Sequence, residues 1–106
     1  MAKKTSANTS LYPIGSYLFD PGKCLLKWKD ESIELTIRES KILEMLYERK
    51  KTVVKREDIL RRFWGTSDFY TSRSLDVFVS KLRKYLKKDP SIQLQTVRGE
   101  GVKMIF

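Results

Sequence analysis

The residues most able to do chemistry lie between Arg73 and Lys84. Arg73, Val77, Ser80, Lys81 and Lys84 recur at i, i+4, i+7, i+8 and i+11, which sets them on one face of a helix. The chemistry of that face is recognition. Arg and Lys can reach guanine O6 and N7 or a phosphate, Ser can address more than one base, and Val77 can touch a thymine methyl. Leu75, Phe78, Val79, Leu82 and Leu86 recur at i, i+3, i+4, i+7 and i+11 and form the opposite, apolar stripe. A helix with one core face and one basic face fits a major groove. An amphipathic helix with a merely solvated face has the same pattern, and periodicity alone favours that plainer reading.

Arg98 is the second candidate. It precedes Gly99-Glu100-Gly101 at the tip of an expected hairpin, where an arginine can enter a minor groove. An exposed arginine in a tight turn reads the same, and Glu100 would repel phosphates. Trp64 and Phe63 fall on an apolar helical stripe and read as core aromatics. Cys24 reads as a buried strand residue. Glu57-Asp58 reads as compensation of a helix dipole. Gly99-Glu100-Gly101 is too short for a phosphate loop and leads into no helix. No arrangement of nucleophile, base and oxyanion donors is visible, so neither an enzyme nor a cofactor is expected.

Composition narrows the field further. The 106 residues hold 22 Lys and Arg against 13 Asp and Glu, a formal charge of +9. Residues 1–53 hold 10 basic and 7 acidic side chains, and 54–106 hold 12 and 6, so the excess leans C-terminal. A sequence pI near 9.8 makes a polyanion the first partner to consider. There is no histidine and a single cysteine, which excludes zinc fingers, disulfide frameworks and His-dependent triads. No apolar run approaches the roughly 18 residues of a membrane span, and no apolar segment follows Lys3-Lys4 as in a secretory signal. A lone cysteine without an export signal fits a reducing cytoplasm.

These candidates need elements to position them. Residues 1–13 lack periodicity and read as a flexible tail or linker, with one domain over 14–106. Tyr17 to Phe19, Cys24 to Lys29 and Ile33 to Leu35 read as strands of an antiparallel meander. They are separated by Asp20-Pro21-Gly22-Lys23 and Asp30-Glu31-Ser32 as turns. Thr36 and Glu39 have capping-box spacing. They open a helix with Ile42, Leu43, Leu46 and Tyr47 on one face, ending in Glu48 to Lys51. A second helix runs from Arg56 to Trp64 and stops at Gly65. Gly65 to Thr71 reads as a loop. Thr71 or Ser72 then caps a third helix to about Lys87. Gln93 to Thr96 and Lys103 to Phe106 read as a hairpin joined by Val97 to Gly101.

Four segments together resemble a known family. They are Leu35-Thr36-Ile37-Arg38-Glu39 with Leu43; Val54 to Leu60 with Trp64-Gly65; Arg73 to Val77 with Lys81-Leu82-Arg83-Lys84; and Gln95 to Gly101. In order and spacing they resemble the C-terminal effector domain of OmpR/PhoB-type response regulators. The resemblance implies an α+β winged helix-turn-helix: an N-terminal antiparallel sheet, three helices and a C-terminal hairpin wing. It implies a recognition helix near Ser72 to Lys87 in the major groove of double-stranded DNA, with Arg98 of the wing at the minor groove. It makes Trp64, Arg73, Lys81, Arg83 and Thr96 candidate base or backbone contacts. Asp76 is expected to organise neighbouring arginines. The loop holding Ser67, Asp68, Phe69 and Tyr70 is where such proteins can meet RNA polymerase.

Further partners follow from the same resemblance. Two copies would bind tandem half-sites, and an isolated domain would be monomeric off DNA. A histidine kinase would act through a receiver domain that these 106 residues do not contain. The chain departs from the family at Ser80 and Lys81, where many members carry arginines. It departs again at Phe78, often polar, and at Val102, usually aromatic. Two other readings stay open. One is a single-stranded RNA binder stacking bases on Trp28, Phe69 and Tyr70. The other is a protein-interaction module built on the Phe69-Tyr70 segment.

Overall fold

The apolar periodicities resolve into ten elements in a computed structural model that describes residues 11–106. Four strands come first: β1 (Tyr12–Ile14), β2 (Tyr17–Asp20), β3 (Leu25–Trp28) and β4 (Glu31–Glu34). Helix α1 (Ile37–Glu48), strand β5 (Val53–Lys55), helix α2 (Arg56–Trp64) and helix α3 (Phe69–Tyr85) follow. Strands β6 (Gln93–Val97) and β7 (Gly101–Ile105) close the chain. The first four strands form an antiparallel sheet in sequence order, and the second sheet has the order β5-β7-β6. This is the expected α+β arrangement, with three helices among the described residues.

The helices stand where their local signals put them. Thr36 Oγ1 accepts from the Glu39 amide at 3.1 Å, and Glu39 accepts from the Thr36 amide at 2.9 Å. That reciprocal cap satisfies two of the free donors at the start of α1. Glu39 is buried, and its other oxygen accepts from the Tyr85 hydroxyl at 3.3 Å, so the cap also ties α1 to the end of α3. Helix α2 has no side-chain cap at Lys55 and ends on Gly65 at φ +79. Ile42, Leu43 and Leu46 of α1, Ile59 and Leu60 of α2, and Leu75, Val79 and Leu82 of α3 form one core. Phe19 and Leu26 of the first sheet and Val54, Val102 and Met104 of the second complete it. Each such side chain contributes about 1.5–3 kcal/mol by burial, so this core outweighs the exposed ion pairs Arg61–Glu57 and Lys88–Glu31.

Several boundaries differ from the sequence reading. Strand β1 begins at Tyr12, inside the stretch read as a tail; residues 1–10 lie outside the described residues. Pro13 is accommodated because β1 is an edge strand. Tyr12 holds the strand in place by stacking on Tyr47 at 4.6 Å and meeting Phe19 edge-on. Strand β5 has no signal in the sequence: three residues carry no alternation, and it exists because β7 pairs with it. Trp28 pairs with Glu31, so the turn is Lys29-Asp30 and Glu31 already lies in β4. Helix α3 starts at Phe69 with Asp68 as its cap, not at Thr71 or Ser72, and ends at Tyr85. Asp68 accepts from the Thr71 amide while Thr71 Oγ1 accepts from the Asp68 amide, both at 2.9 Å. Phe78, expected in the core stripe, is half-buried.

Asp89 fastens the first sheet to the second half of the chain. Its carboxylate accepts from the Ser91 hydroxyl at 2.6 Å, the Ser16 amide at 2.7 Å and the Ser91 amide at 3.0 Å. Gly15, at φ +56, leaves room for it: a Cβ there would lie 2.4 Å from the carboxylate. The Ser91 hydroxyl, then the Ser16 and Ser91 amides, hold the Asp89 pKa down at about 2. A depressed carboxylate pKa adds stability above the unfolded-state value, and that stability is lost as pH falls through the folded value. Urea midpoints of the wild type should therefore drop between pH 3.8 and about 2. Asp89→Asn should be less stable at neutral pH and should flatten that part of the profile. A variant profile parallel to the wild type would contradict this. Gly101 permits another close approach, since a Cβ there would sit 1.9 Å from the Val54 carbonyl oxygen. Gly101→Ala should cost about 1–3 kcal/mol in urea denaturation, because β5 must move away from β7.

Candidate nucleic-acid interface

Helix α3 buries Leu75, Val79 and Leu82 and turns its opposite face outward. Arg73, Val77, Ser80, Lys81 and Lys84 are all exposed, Val77 by 54% although it is apolar. Together with Asp76 they line one shallow hollow along the helix. The five residues singled out by spacing therefore do share one open face. A second, larger hollow lies between the starts of α2 and α3 and the β6–β7 turn. Arg56, Phe69, Arg73, Asp76, Gly99 and Glu100 are among its lining residues. Arg73 and Asp76 border both hollows, so the helix face adjoins Gly99 and Glu100 of the hairpin tip; Arg98, next to them in the tip, is exposed but lines neither hollow. The tip is three residues, Arg98-Gly99-Glu100, with Gly99 at φ +76.

Two arginines hold α3 along one flank. Arg83 donates from Nε to the Leu94 carbonyl at 2.8 Å and from Nη2 to Thr96 Oγ1 at 2.7 Å. Arg83 and Thr96, both named as candidate contacts, are thus bonded to each other and dock the hairpin on the helix. Arg56 donates from Nε to Ser72 Oγ at 2.8 Å and from Nη2 to the Ser72 carbonyl at 2.7 Å. The same Nη2 meets Asp76 Oδ1 at 2.5 Å. Asp76 does organise an arginine, as its place in the helix suggested. The sequence does not point to Arg56 as the partner, because sixteen to twenty residues of chain separate it from both groups. Such a pairing has no local signal in sequence.

The opposite flank is aromatic. Trp64 is half-buried and meets Phe78 edge-on at 5.5 Å, while the Arg38 guanidinium lies 4.6 Å from the Trp64 ring centre. Trp64 is thus packed against the domain without being enclosed. In sequence Arg38 marks only a helix start; nothing in its spacing from Trp64 predicts the contact.

Ser67, Asp68, Phe69 and Tyr70 are all exposed, Phe69 by 67% and Tyr70 by 80%. The expected loop is shorter than read, since Phe69 and Tyr70 form the first turn of α3 and Asp68 caps it. Their rings meet edge-on at 5.6 Å, with the Arg73 guanidinium 5.7 Å from Phe69. Trp28, required by the single-stranded RNA reading, sits in the first sheet with its ring against Tyr17 at 4.8 Å. It lines neither hollow beside α3. Among the described residues no group of three His, Cys, Asp or Glu could hold a metal ion. No described helix is long and apolar enough to cross a membrane.

Residues 30–104 match the family described as "Transcriptional regulatory protein, C terminal". The transcriptional regulatory protein RprY of Bacteroides fragilis is 34% identical over 102 residues, 96% of this chain and 43% of RprY. The Thermotoga maritima response regulator DrrB, described as an OmpR/PhoB homolog, superposes with a TM-score of 0.75 at 28% identity. That superposition covers 91% of this chain and 44% of DrrB. The Klebsiella pneumoniae RstA DNA-binding domain, solved in complex with the RstA box, gives a TM-score of 0.74 at 25% identity. It covers 91% of this chain and 97% of that domain. The chain spans less than half the length of the curated relatives RprY, YxdJ and HssR. With its helix face, docked hairpin and these matches, the chain belongs to the family of transcriptional-regulator C-terminal domains, in its OmpR/PhoB-type winged-helix form.

Proposed function

We propose that this chain binds double-stranded DNA sequence-specifically, as the effector domain of a bacterial two-component transcriptional regulator. One observation carries the reading: the exposed face of α3 adjoins, through Arg73 and Asp76, a hollow bordered by Gly99 and Glu100 of the hairpin tip, on a helix pinned by Arg56 and Arg83. The RstA complex supports it by fold and by what that domain is bound to. In this reading α3 enters the major groove. Arg73, Lys81 and Lys84 reach guanine edges or phosphates, Ser80 donates or accepts at a base, and Val77 meets a thymine methyl. Arg98 enters the flanking minor groove, and Trp64, Arg83 and Thr96 border the backbone. No chemical step is involved.

Wider roles follow from the family. Ser67, Asp68, Phe69 and Tyr70 would face RNA polymerase, and two copies would occupy tandem half-sites while the free domain stays monomeric. The remaining length of relatives such as RprY would hold a receiver through which a histidine kinase acts. The site of action would be the bacterial cytoplasm.

Selection of duplexes from a random pool should recover a defined half-site. Lys81→Ala should then lower affinity for the selected duplex and narrow its margin over a scrambled one by about 1–3 kcal/mol. Equal binding of both duplexes by the wild type would overturn the assignment of α3. Arg98→Ala should weaken binding most where an A-tract narrows the flanking minor groove, and little where G·C pairs widen it. An equal loss on both would remove Arg98 from that groove.

A further inference from the structure

Helix α3 has two flanks beside its outward face. Ser72, Asp76 and Arg83 lie on one, toward the start of α2 and the hairpin. Phe78 and Tyr85 lie on the other, at helical spacing i and i+7. This second flank faces α1: the Tyr85 hydroxyl reaches Glu39, and Phe78 meets Trp64 under Arg38. The first turn of α1 therefore borders the recognition face on the side away from the hairpin. A helix lying in a major groove has a phosphate strand on each side of it. The hairpin accounts for one side only.

We infer that Arg38 is a phosphate-binding residue on the other side, held in position by the Trp64 ring. Arg38 is exposed, and among the described residues it makes no ion pair. The carboxylate next to it in sequence, Glu39, is buried and committed to the Thr36 amide and the Tyr85 hydroxyl. The charge is therefore available to a ligand. A guanidinium over an indole keeps its N–H donors at its edge, free to meet an anion. The ring also restrains a long side chain that would otherwise lose rotamer freedom on binding. Phe78 backs Trp64 from the recognition helix, so the placement of Arg38 depends on the same helix that would read the bases. Phosphates carry no sequence information directly, so Arg38 adds affinity that is uniform over sequences.

This inference rests on the proposed function, and its test separates the two. The full chain is titrated with a mixed-sequence duplex over a range of salt concentrations. Arg38→Ala and Arg38→Gln should each lower the slope of log affinity against log salt by about 0.9 and weaken binding roughly fivefold at 0.15 M salt. The glutamine variant keeps a planar group over Trp64, so a loss shared by both reports charge rather than packing. Arg38→Lys should keep the slope, and the margin between selected and scrambled duplexes should stay as in the wild type for all three. A wild-type slope in both the alanine and glutamine variants overturns the role of Arg38 while leaving the proposed function standing. A wild type without any salt-dependent duplex binding overturns both.

Discussion

The outward face of α3 and the hairpin tip form one surface only if the hairpin keeps a fixed distance and angle from the helix, and Arg83 ties the two together beyond the shared core. One guanidinium donates to a backbone carbonyl of β6 and to a hydroxyl two residues further along. Two parallel bonds from a planar group fix orientation as well as separation, which a lysine at the same place would not do. The bond to the Leu94 carbonyl is part-buried, while the bond to Thr96 is open to water. Arg56 does the corresponding work at the start of the helix, bonding a hydroxyl, a carbonyl and a carboxylate. Between them the two arginines hold one flank of α3 at both ends. The helix can then leave its outward face without protein partners and still stay in register.

Charge on this surface is sorted by what is already paired. Asp76 stands among the cations of the helix face, but Arg56 answers it, with its side chain only 27% exposed. That pair is better sheltered than Arg61–Glu57, whose two side chains are 65% and 61% exposed, so it is the one that shapes the site. The Asp76 carboxylate is itself 62% exposed, and the adjoining Arg56 guanidinium supplies its countercharge. Arg73, Lys81, Lys84 and Arg98 make no ion pair among the described residues. On this face the four cations are thus unpaired, while the Arg56–Asp76 pair ties the start of α2 to α3.

The first sheet serves this face from a distance. Asp89 joins the β1–β2 turn to the segment that leads from α3 into β6 by accepting from the Ser16 amide, while the Ser91 amide and hydroxyl hold its carboxylate from within that segment. The stack of Tyr12, Tyr47 and Phe106 joins β1, the end of α1 and the end of the chain. Both contacts bear on elements that carry the recognition helix. The sheet's role is mechanical: it closes the core under α1 and so fixes where α1 stands beside α3.

Much of this was readable in the residues. Thr36 and Glu39 announce a helix start, Gly65 announces a stop, and the stripe from Leu75 to Leu86 separates a core face from a basic one. These signals are local, acting over three or four residues of one element, and local geometry obeys them. The start of α3 lies earlier than its stripe indicates because Asp68 and Thr71 form a cap ahead of it, and the exposed rings of Phe69 and Tyr70 belong to no helical stripe. Strands β1 and β5 were invisible because three residues have no period, and they exist only through partners far along the chain. The pairings of Arg83 with Thr96, Arg56 with Asp76 and Arg38 with Trp64 were likewise beyond reach. Residue order dictated which face of the helix would be basic, since that depends on a repeat of 3.6. Tertiary structure alone decided which of its charges are spent and which are free, since that depends on groups brought within hydrogen-bond reach only when the whole chain has folded.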